Sequence, residues 1–116
     1  MYKICSTVIF LVSAITSFGQ AKIPADAAAK HIGETVTVCS MVYGVKALDK
    51  VIFINVGSAY PNAPLTLVIF AKDLVNFNDT PAKLYNNKSI CVTGIIKEYK
   101  DKAEIIVNKQ EQITVE

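Results

Sequence analysis

The sequence predicts an all-β fold with short helices, arranged as a five-stranded Greek-key barrel. Five separate runs are rich in β-branched and aromatic residues, and residues typical of turns lie between them. A segment with helical features separates the third run from the fourth. Five short strands interrupted at this point are typical of a small, partly open barrel, in which closure of the sheet removes exposed edges.

The segment before the first strand is predicted to form a short helix over residues 23–31. Pro24 suits the first helical position. Lys30 and His31 suit the negative C-terminal end of the helix dipole, and Gly33 is expected to end the helix.

The predicted strands are separated by recognisable turn signals. Gly57 closes the second strand, and the turn-rich residues 58–64 precede the third. Gly94 interrupts the fourth strand and is predicted to mark a bulge or a bend. A tight polar turn over residues 100–102 leads into the fifth strand. The five strands are predicted to cover residues 35–43, 51–56, 65–70, 89–99 and 103–107.

The connection between the third and fourth strands contains two candidate helical turns. Residues 73–77 predict the first, and Thr80 is predicted to cap the second, with Pro81 in its first position. After the fifth strand, Ile113 and Val115 predict a short edge segment. Five strands with a helical connection between strands three and four are the arrangement of the OB-fold, the oligonucleotide/oligosaccharide-binding fold. A five-stranded sandwich or an unrelated small barrel is the alternative.

The first twenty residues have the features of a secretory signal peptide. Lys3 provides positive charge before the short apolar residues 7–15, and small residues precede a cleavage position before Gln20. The apolar segment is shorter than the about 20 residues that a bilayer-spanning helix needs. We therefore expect residues 1–19 to be a signal peptide and residues 20–116 to be one exported domain, secreted or periplasmic. A buried N-terminal strand or helix is the alternative.

The composition argues against catalysis. Hydrophobic residues make up 52% of the chain and charged residues 19%, which excludes a disordered segment. All 12 basic residues are Lys, so the chain lacks the arginines that stabilise the reacting phosphate in thermonuclease-like enzymes. The chain has one histidine, His31, and the sequence marks no nucleophile that could act with it in catalysis. The cysteines and carboxylates do not have the spacing of metal ligands. We therefore expect no enzymatic activity, no metal and no cofactor.

Several short motifs run through the chain after residue 20. They are AKHIGE at residues 29–34 followed by Thr37-Val38, FINVG at 53–57 followed by Tyr60-Pro61, VTGII at 92–96, YKDKAEI at 99–105 and Gln112-Ile113. With these motifs the chain resembles the small OB domains of exported bacterial proteins, which accompany secreted nucleases or stand alone after a signal peptide. The resemblance covers nearly the whole chain after residue 20, and it implies the fold without implying a particular ligand. Ser40, Asp101 and Ala103 stand where these domains usually have Gly, Gly and Pro, and Asp101 still tolerates a left-handed turn.

Two cysteines lie on predicted strands. Cys39 belongs to the first strand and Cys91 to the fourth, and these strands are neighbours in an OB barrel. The two residues can therefore lie across from each other, as a disulfide requires, and an oxidising compartment favours the bond. Two free thiols, buried as small apolar residues, are the alternative.

The candidate ligand-binding site is the face of strands two and three. In OB domains this face is bordered by the loop joining strands one and two and by the loop joining strands four and five. Lysines on these two loops and nearby aromatic residues form the predicted site: Tyr43, Lys46, Lys50, Phe53, Tyr60, Tyr99, Lys100 and Lys102. Positive charge beside aromatic platforms is what binding of single-stranded nucleic acid requires.

We therefore predict non-enzymatic binding of single-stranded nucleic acid or another extended polyanion. A protein or glycan partner on the same face is the alternative, because each loop also carries an Asp and has a net charge of only +1. Polar turns of small barrels have this composition without any ligand. Phe53 and Phe70 also fit a barrel core better than a stacking platform.

Overall fold

The computed structural model describes residues 22–116, and the predicted signal peptide, residues 1–19, lies outside the described residues. The elements in chain order are β1 (Lys22–Ile23), a first 3₁₀ helix (Ala25–His31), β2 (Thr35–Ala47), β3 (Val51–Val56), β4 (Leu65–Phe70), a second 3₁₀ helix (Ala71–Asn76), α1 (Pro81–Tyr85), β5 (Ser89–Tyr99), β6 (Lys102–Ile106), a third 3₁₀ helix (Gln110–Gln112) and β7 (Ile113–Val115). Within the described part of the chain, every helix is too short or too polar to cross a bilayer.

Five of the strands close into a ring. β2 pairs with β3, β3 with β4, and β5 with both β2 and β6, all in antiparallel orientation. β4 and β6 pair in parallel and complete the ring. This topology confirms the predicted five-stranded barrel with a helical connection between its third and fourth strands, and the five-stranded sandwich is wrong. β1 and β7 extend the sheet outside the ring, beside β2 and β5 respectively.

The barrel interior is filled by one face of each strand. Side chains alternate between the two faces, so Ile52 and Ile54 of β3 are buried while Val51 and Phe53 point outward. The other fully buried strand residues are Val38, Val42, Val56, Leu65, Leu67, Ile69, Ile90, Val92, Ile96 and Ile105. Each such side chain contributes about 1.5–3 kcal/mol by leaving water, so this interior is the main stabilising element of the fold.

Short helices cover the barrel between its strands. The backbone N–H of Lys83 donates to Oγ1 of Thr80 over 3.4 Å, and Pro81 starts α1, which confirms the predicted cap. At the other end of α1 Tyr85 is buried, and its hydroxyl has no hydrogen-bond partner among residues 22–116. Burial raises the pKa of the Tyr85 hydroxyl.

The predicted N-terminal helix is wrong at its start. Ile23 pairs in parallel with Val38, and Pro24 is extended, so the 3₁₀ helix begins at Ala25 and Pro24 precedes it. The backbone of β2 offers Ile23 a strand partner, which local sequence preferences do not reveal. As predicted, basic residues occupy the last helical turn, and Gly33 follows with a φ of 88°.

The predicted first strand ends too early. β2 continues to Ala47, and the register of its pairing with β3 shifts between Val42 and Gly44, so Tyr43 is the extra residue of a β-bulge. Of the bulge or bend predicted at Gly94, the bulge is absent, because the pairing of β2 with β5 passes through that residue without a register shift. β6 also begins and ends one residue before its predicted position.

Candidate ligand-binding face

The outer surface of β3, β4 and β6 forms a continuous face crossed by rows of side chains. One row consists of Lys46, Phe53, Val68 and Ile106, which are cross-strand neighbours in that order from β2 to β6. Phe53 and Ile106 are half-buried, and Val68 between them is only 5% exposed. We call these four residues the apolar row.

A second row lies two residues away from the apolar row on each strand. It consists of Gly44, Asn55, Thr66, Glu104 and Lys97, again as successive cross-strand neighbours. Asn55, Thr66 and Glu104 are half-buried, whereas Lys97 is exposed. We call Asn55, Thr66 and Glu104 the polar row. Two residues along a strand correspond to about 7 Å, so the two rows are close neighbours.

The aromatic residues of this face lie outside the core. Phe53 and Phe70 are absent from the cluster of side chains that fills the barrel, and Phe70 is 39% exposed. The interpretation of these two residues as core residues is therefore wrong. In both strands most inward and outward positions are apolar, so hydrophobicity alone does not distinguish the two faces.

The turn between β2 and β3 borders one end of the face. Ala71, which directly follows β4, donates its backbone N–H to the carbonyl oxygen of Lys50 over 3.0 Å and fixes the turn beside Phe70. Leu48 in this turn is 47% exposed and adds apolar surface that the sequence reasoning missed. Lys46 was predicted in this turn, but it lies within β2, directly opposite Phe53.

The hairpin between β5 and β6 borders the other end. Lys100 and Asp101 have φ values of 50° and 64°, which are typical of a two-residue type I′ turn, and Tyr99 pairs with Lys102 across it. Asp101 therefore takes the left-handed conformation predicted for it. The ammonium of Lys100 lies 5.3 Å from the centroid of the Tyr99 ring, within range of a cation–π interaction.

The loop between β3 and β4 meets this hairpin. Lys102 donates from Nζ to the carbonyl oxygen of Pro61 over 3.0 Å, which ties the loop to β6. Tyr60, next to Pro61, is 80% exposed, and Tyr43 at the bulge of β2 is 51% exposed. These tyrosines are free to contact a ligand at this end of the face.

The structure divides the predicted site residues into two groups. Because β4 and β6 are parallel, Lys102 lies near Leu65 at the start of β4, whereas Lys50 lies near its end at Phe70. The six residues of β4 separate the two groups by about 17 Å along the strand. The first group is Lys46, Lys50 and Phe53; the second is Tyr43, Tyr60, Tyr99, Lys100 and Lys102. The two loops therefore border the face from opposite ends, and only an extended ligand can contact both.

A carboxylate lies in the middle of the face. Glu104 has no ion-pair partner among the residues that the structure describes, although Lys97 is its cross-strand neighbour on β5. Partial burial raises the pKa of the Glu104 carboxyl. Sequence reasoning missed this residue and its neighbours Asn55 and Thr66, because they belong to three strands that only the register brings together.

The raised pKa of Glu104 predicts a pH-dependent stability difference. Folding disfavours the charged form of the Glu104 carboxyl. The contribution of this carboxyl to the free energy of unfolding is therefore fully present below its unfolded pKa, and it is lost as the pH rises through its folded pKa. We expect Glu104→Gln to raise the free energy of unfolding at pH 7 and to change it less at pH 4. Urea titrations of both proteins at the two pH values measure this, and an equal difference at both would contradict it.

The two cysteines lie on the outer surface of β2 and β5. Cys39 and Cys91 are directly opposite each other, with a Cα–Cα distance of 4.0 Å, and the structure joins them by a disulfide of 2.08 Å. Oε2 of Glu116 lies 3.1 Å from Sγ of Cys91. Both sulfur atoms are committed to the disulfide, so this cluster of three residues does not provide thiolate ligands for a metal.

Two other polar groups lie elsewhere on the molecule. Nδ1 of His31 is 3.0 Å from Oε1 of Glu34 on the surface after the first 3₁₀ helix. A shallow polar cleft of about 490 Å³ lies between the second 3₁₀ helix and the segment after β6. It is lined by Asp73, Asn76, Asn108, Lys109 and Glu111. Neither group contains a residue predicted for ligand binding.

The comparisons with known proteins concern the fold. No protein-family model and no curated protein matches the chain. The chain is similar to the solved structure of OBody AM1L10 bound to hen egg-white lysozyme, with a TM-score of 0.57 and 15% identity over 87% of this chain and 98% of that chain. OBody AM2EP06, also bound to hen egg-white lysozyme, has a TM-score of 0.57 and 14% identity over 86% and 96% of the two chains. The chain has the OB-fold.

A third solved structure is much longer than this chain. It comes from Leishmania major Friedlin and is described as an aspartyl-tRNA synthetase, with a TM-score of 0.58 and 14% identity over 86% of this chain. The match covers only 21% of the synthetase chain. At these identities the similarity establishes the shared fold and leaves the ligand to be argued from the residues of the face.

Proposed function

We propose that this chain is a non-enzymatic, exported OB-fold module that binds single-stranded nucleic acid or another extended polyanion. The observation that carries the proposal is the pairing of Phe53 with Lys46 on this face. An aromatic ring on an open strand surface is a platform for a base, and a lysine beside it is placed to meet a backbone phosphate.

The ends of the face support an extended ligand. Lys50 lies at one end and Lys100 and Lys102 at the other, with exposed Tyr60 and Tyr99 beside the latter pair. Stacking contributes about 1–3 kcal/mol per base in such sites, so a few aromatic side chains give useful affinity without base specificity. The lysines add a salt-sensitive attraction for phosphate.

Export is proposed on two grounds. The N-terminal residues have the features of a signal peptide, and the Cys39–Cys91 disulfide is the form that an oxidising compartment maintains. The proposal of a non-enzymatic role rests on the absence of arginine and of any residue marked as a nucleophile in the sequence. The similar structure from Leishmania major Friedlin is described as an aspartyl-tRNA synthetase, which is compatible with a nucleic-acid ligand on this fold.

The test removes positive charge at one end of the face. We expect Lys46→Gln/Lys50→Gln to bind a fluorescently labelled single-stranded 12-mer about tenfold more weakly at low salt, with a log–log salt slope smaller by about 1.4. Fluorescence anisotropy at several salt concentrations measures both quantities.

Lys83→Gln/Lys88→Gln is the matched control, because it removes the same charge from exposed residues on and just after α1, away from the face. The control is expected to keep most of the affinity. Equal losses in the two variants, or no salt-sensitive binding at micromolar protein, would overturn the proposal.

A protein partner on the same face is the second candidate. Leu48 and Phe70 are exposed beside Lys50, and the two similar OBody structures are bound to a protein, lysozyme. Apolar contact of this kind depends little on salt, whereas phosphate contact depends on it strongly. A partner retained by Lys46→Gln/Lys50→Gln but lost by Phe70→Ala would favour this candidate over nucleic acid.

A further inference from the structure

The polar row has an unusual composition for the centre of a nucleic-acid face. It places an amide, a hydroxyl and a carboxylate side by side on β3, β4 and β6. Directly opposed side chains on neighbouring strands have Cβ atoms about 5 Å apart, so the three polar groups form a continuous line. Within residues 22–116, none of the three side chains makes a hydrogen bond to the protein.

A phosphate backbone does not fit over this line. The Glu104 carboxylate repels phosphate, and its half-buried position reduces the screening of that repulsion by water. The lysines at the start of the apolar row and at the two ends of the face offer better positions for phosphates. The bases are therefore left to occupy the space between them.

We propose that the polar row reads the edges of nucleobases, and that Glu104 selects bases carrying an exocyclic amino group. This inference rests on the proposed function, because it assigns specificity within the same face. A base stacked on Phe53 lies over the apolar row, and its edge then points toward Asn55 or Thr66, about 7–8 Å away. Glu104 lies two strands across from Phe53, about 12 Å away, so it meets the edge of the next base along the row, over Val68 and Ile106.

The selectivity follows from hydrogen-bond chemistry. An ionised carboxylate only accepts hydrogen bonds, so it pairs with the N4 amino group of cytosine. Thymine has the acceptor O4 at the same position, and two acceptors repel each other. Asn55 and Thr66 each carry a donor and an acceptor, so they support either base and contribute affinity more than discrimination.

The space above the row is open at its β2 end. Gly44 has no side chain at this point, and a Cβ added there would lie 3.8 Å from Nδ2 of Asn55. Because Tyr43 is the extra residue of the bulge, Gly44 takes the position opposite Asn55. A flat base therefore meets no side chain at this end of the row.

The experiment compares two pyrimidine oligonucleotides. At pH 7.5 we expect the wild-type protein to bind labelled (dC)₁₂ about fivefold or more tightly than (dT)₁₂, as one base-edge contact provides. In Glu104→Gln we expect the preference for (dC)₁₂ over (dT)₁₂ to be at most about twofold. The main reason is that binding of (dT)₁₂ improves, because the new amide donates to O4 and a negative charge is lost.

The control and the contrary outcomes separate this inference from the proposed function. Glu111→Gln removes the same charge from an exposed residue outside the face and is expected to keep the wild-type preference. Binding of both oligonucleotides without preference, or a preference that Glu104→Gln leaves unchanged, would overturn the inference alone. Failure of both oligonucleotides to bind the folded wild-type protein would overturn the proposed function with it.

Discussion

Removal of the Cys39–Cys91 disulfide is expected to lower the free energy of unfolding by about 4 kcal/mol. The bond closes a loop of 52 residues, and the chain-entropy relation assigns about this value to a loop of that length. Because a domain of this size has a total stability of about 5–15 kcal/mol, the loss is a large part of it. Urea unfolding of Cys39→Ser/Cys91→Ser measures the effect, and the wild-type protein with reductant is expected to give the same midpoint.

A second pair on the same strands provides the control. Thr37 and Thr93 are also directly opposite each other, and their Oγ1 atoms lie 2.8 Å apart. Thr37→Ala/Thr93→Ala removes this hydrogen bond and is expected to cost about 1 kcal/mol. If the cysteine and threonine variants lost the same free energy, the bond would contribute no more than an ordinary cross-strand contact. The backbone pairing of β2 with β5 extends over seven residue pairs, so both variants are expected to keep the barrel.

The number and order of the five barrel strands could be predicted because their signals are local. Each strand contains β-branched residues and is bounded by a turn, and Thr80-Pro81 is a helix start that depends only on neighbouring residues. The left-handed turn at Asp101 is local in the same sense. These features require no knowledge of which strand lies beside which.

The inward and outward positions of β3 and β4 could not be predicted in this way. VIFINV and LTLVIF are apolar at most positions of both faces, so their alternation carries little information. By sequence, Phe53 and Phe70 therefore fit the core better than a stacking platform, although both point away from the core. Apolar side chains lie on the outer face of these strands as well as in the core, so both faces have the same sequence pattern.

The arrangement of the site depends on register. The extra residue at Tyr43 shifts every later residue of β2 by one position, which places Lys46 opposite Phe53. Gly44 follows the predicted end of the first strand at residue 43, and glycine is uncommon in strand interiors. The polar row also depends on register, so the sequence did not predict it. Asn55, Thr66 and Glu104 are far apart in the chain, and only the pairing of β3, β4 and β6 makes them neighbours.

The positions of the lysines followed from the sequence only in part. The two loops were correctly expected to border the face of β3 and β4. Their separation to opposite ends follows from the parallel pairing of β4 with β6, which places Lys102 beside the start of β4. This geometry favours a ligand that crosses the whole face over a compact one that binds to a single end.

Gly57→Ala is expected to destabilise the protein by about 2–4 kcal/mol, through both strain and overpacking. Gly57 has a φ of 93°, which is unfavourable for a residue with a side chain. A Cβ at this position would lie 2.7 Å from Cβ of Ala25 and 2.8 Å from Cγ of Pro64. Ala25 is 2% exposed, so the first 3₁₀ helix would have to move away from the barrel to make room.

Gly33→Ala separates the two causes. Gly33 has a similar φ of 88°, but a Cβ added there meets no atom within 4 Å, so only the backbone strain of about 1–2 kcal/mol is expected. Urea unfolding of the two variants measures the difference, which is the cost of crowding between Gly57 and the helix. Equal losses would mean that the helix moves without cost and does not stabilise this end of the barrel. Gly57 also begins the loop that carries Tyr60, so a displaced helix would be expected to weaken oligonucleotide binding in Gly57→Ala and not in Gly33→Ala.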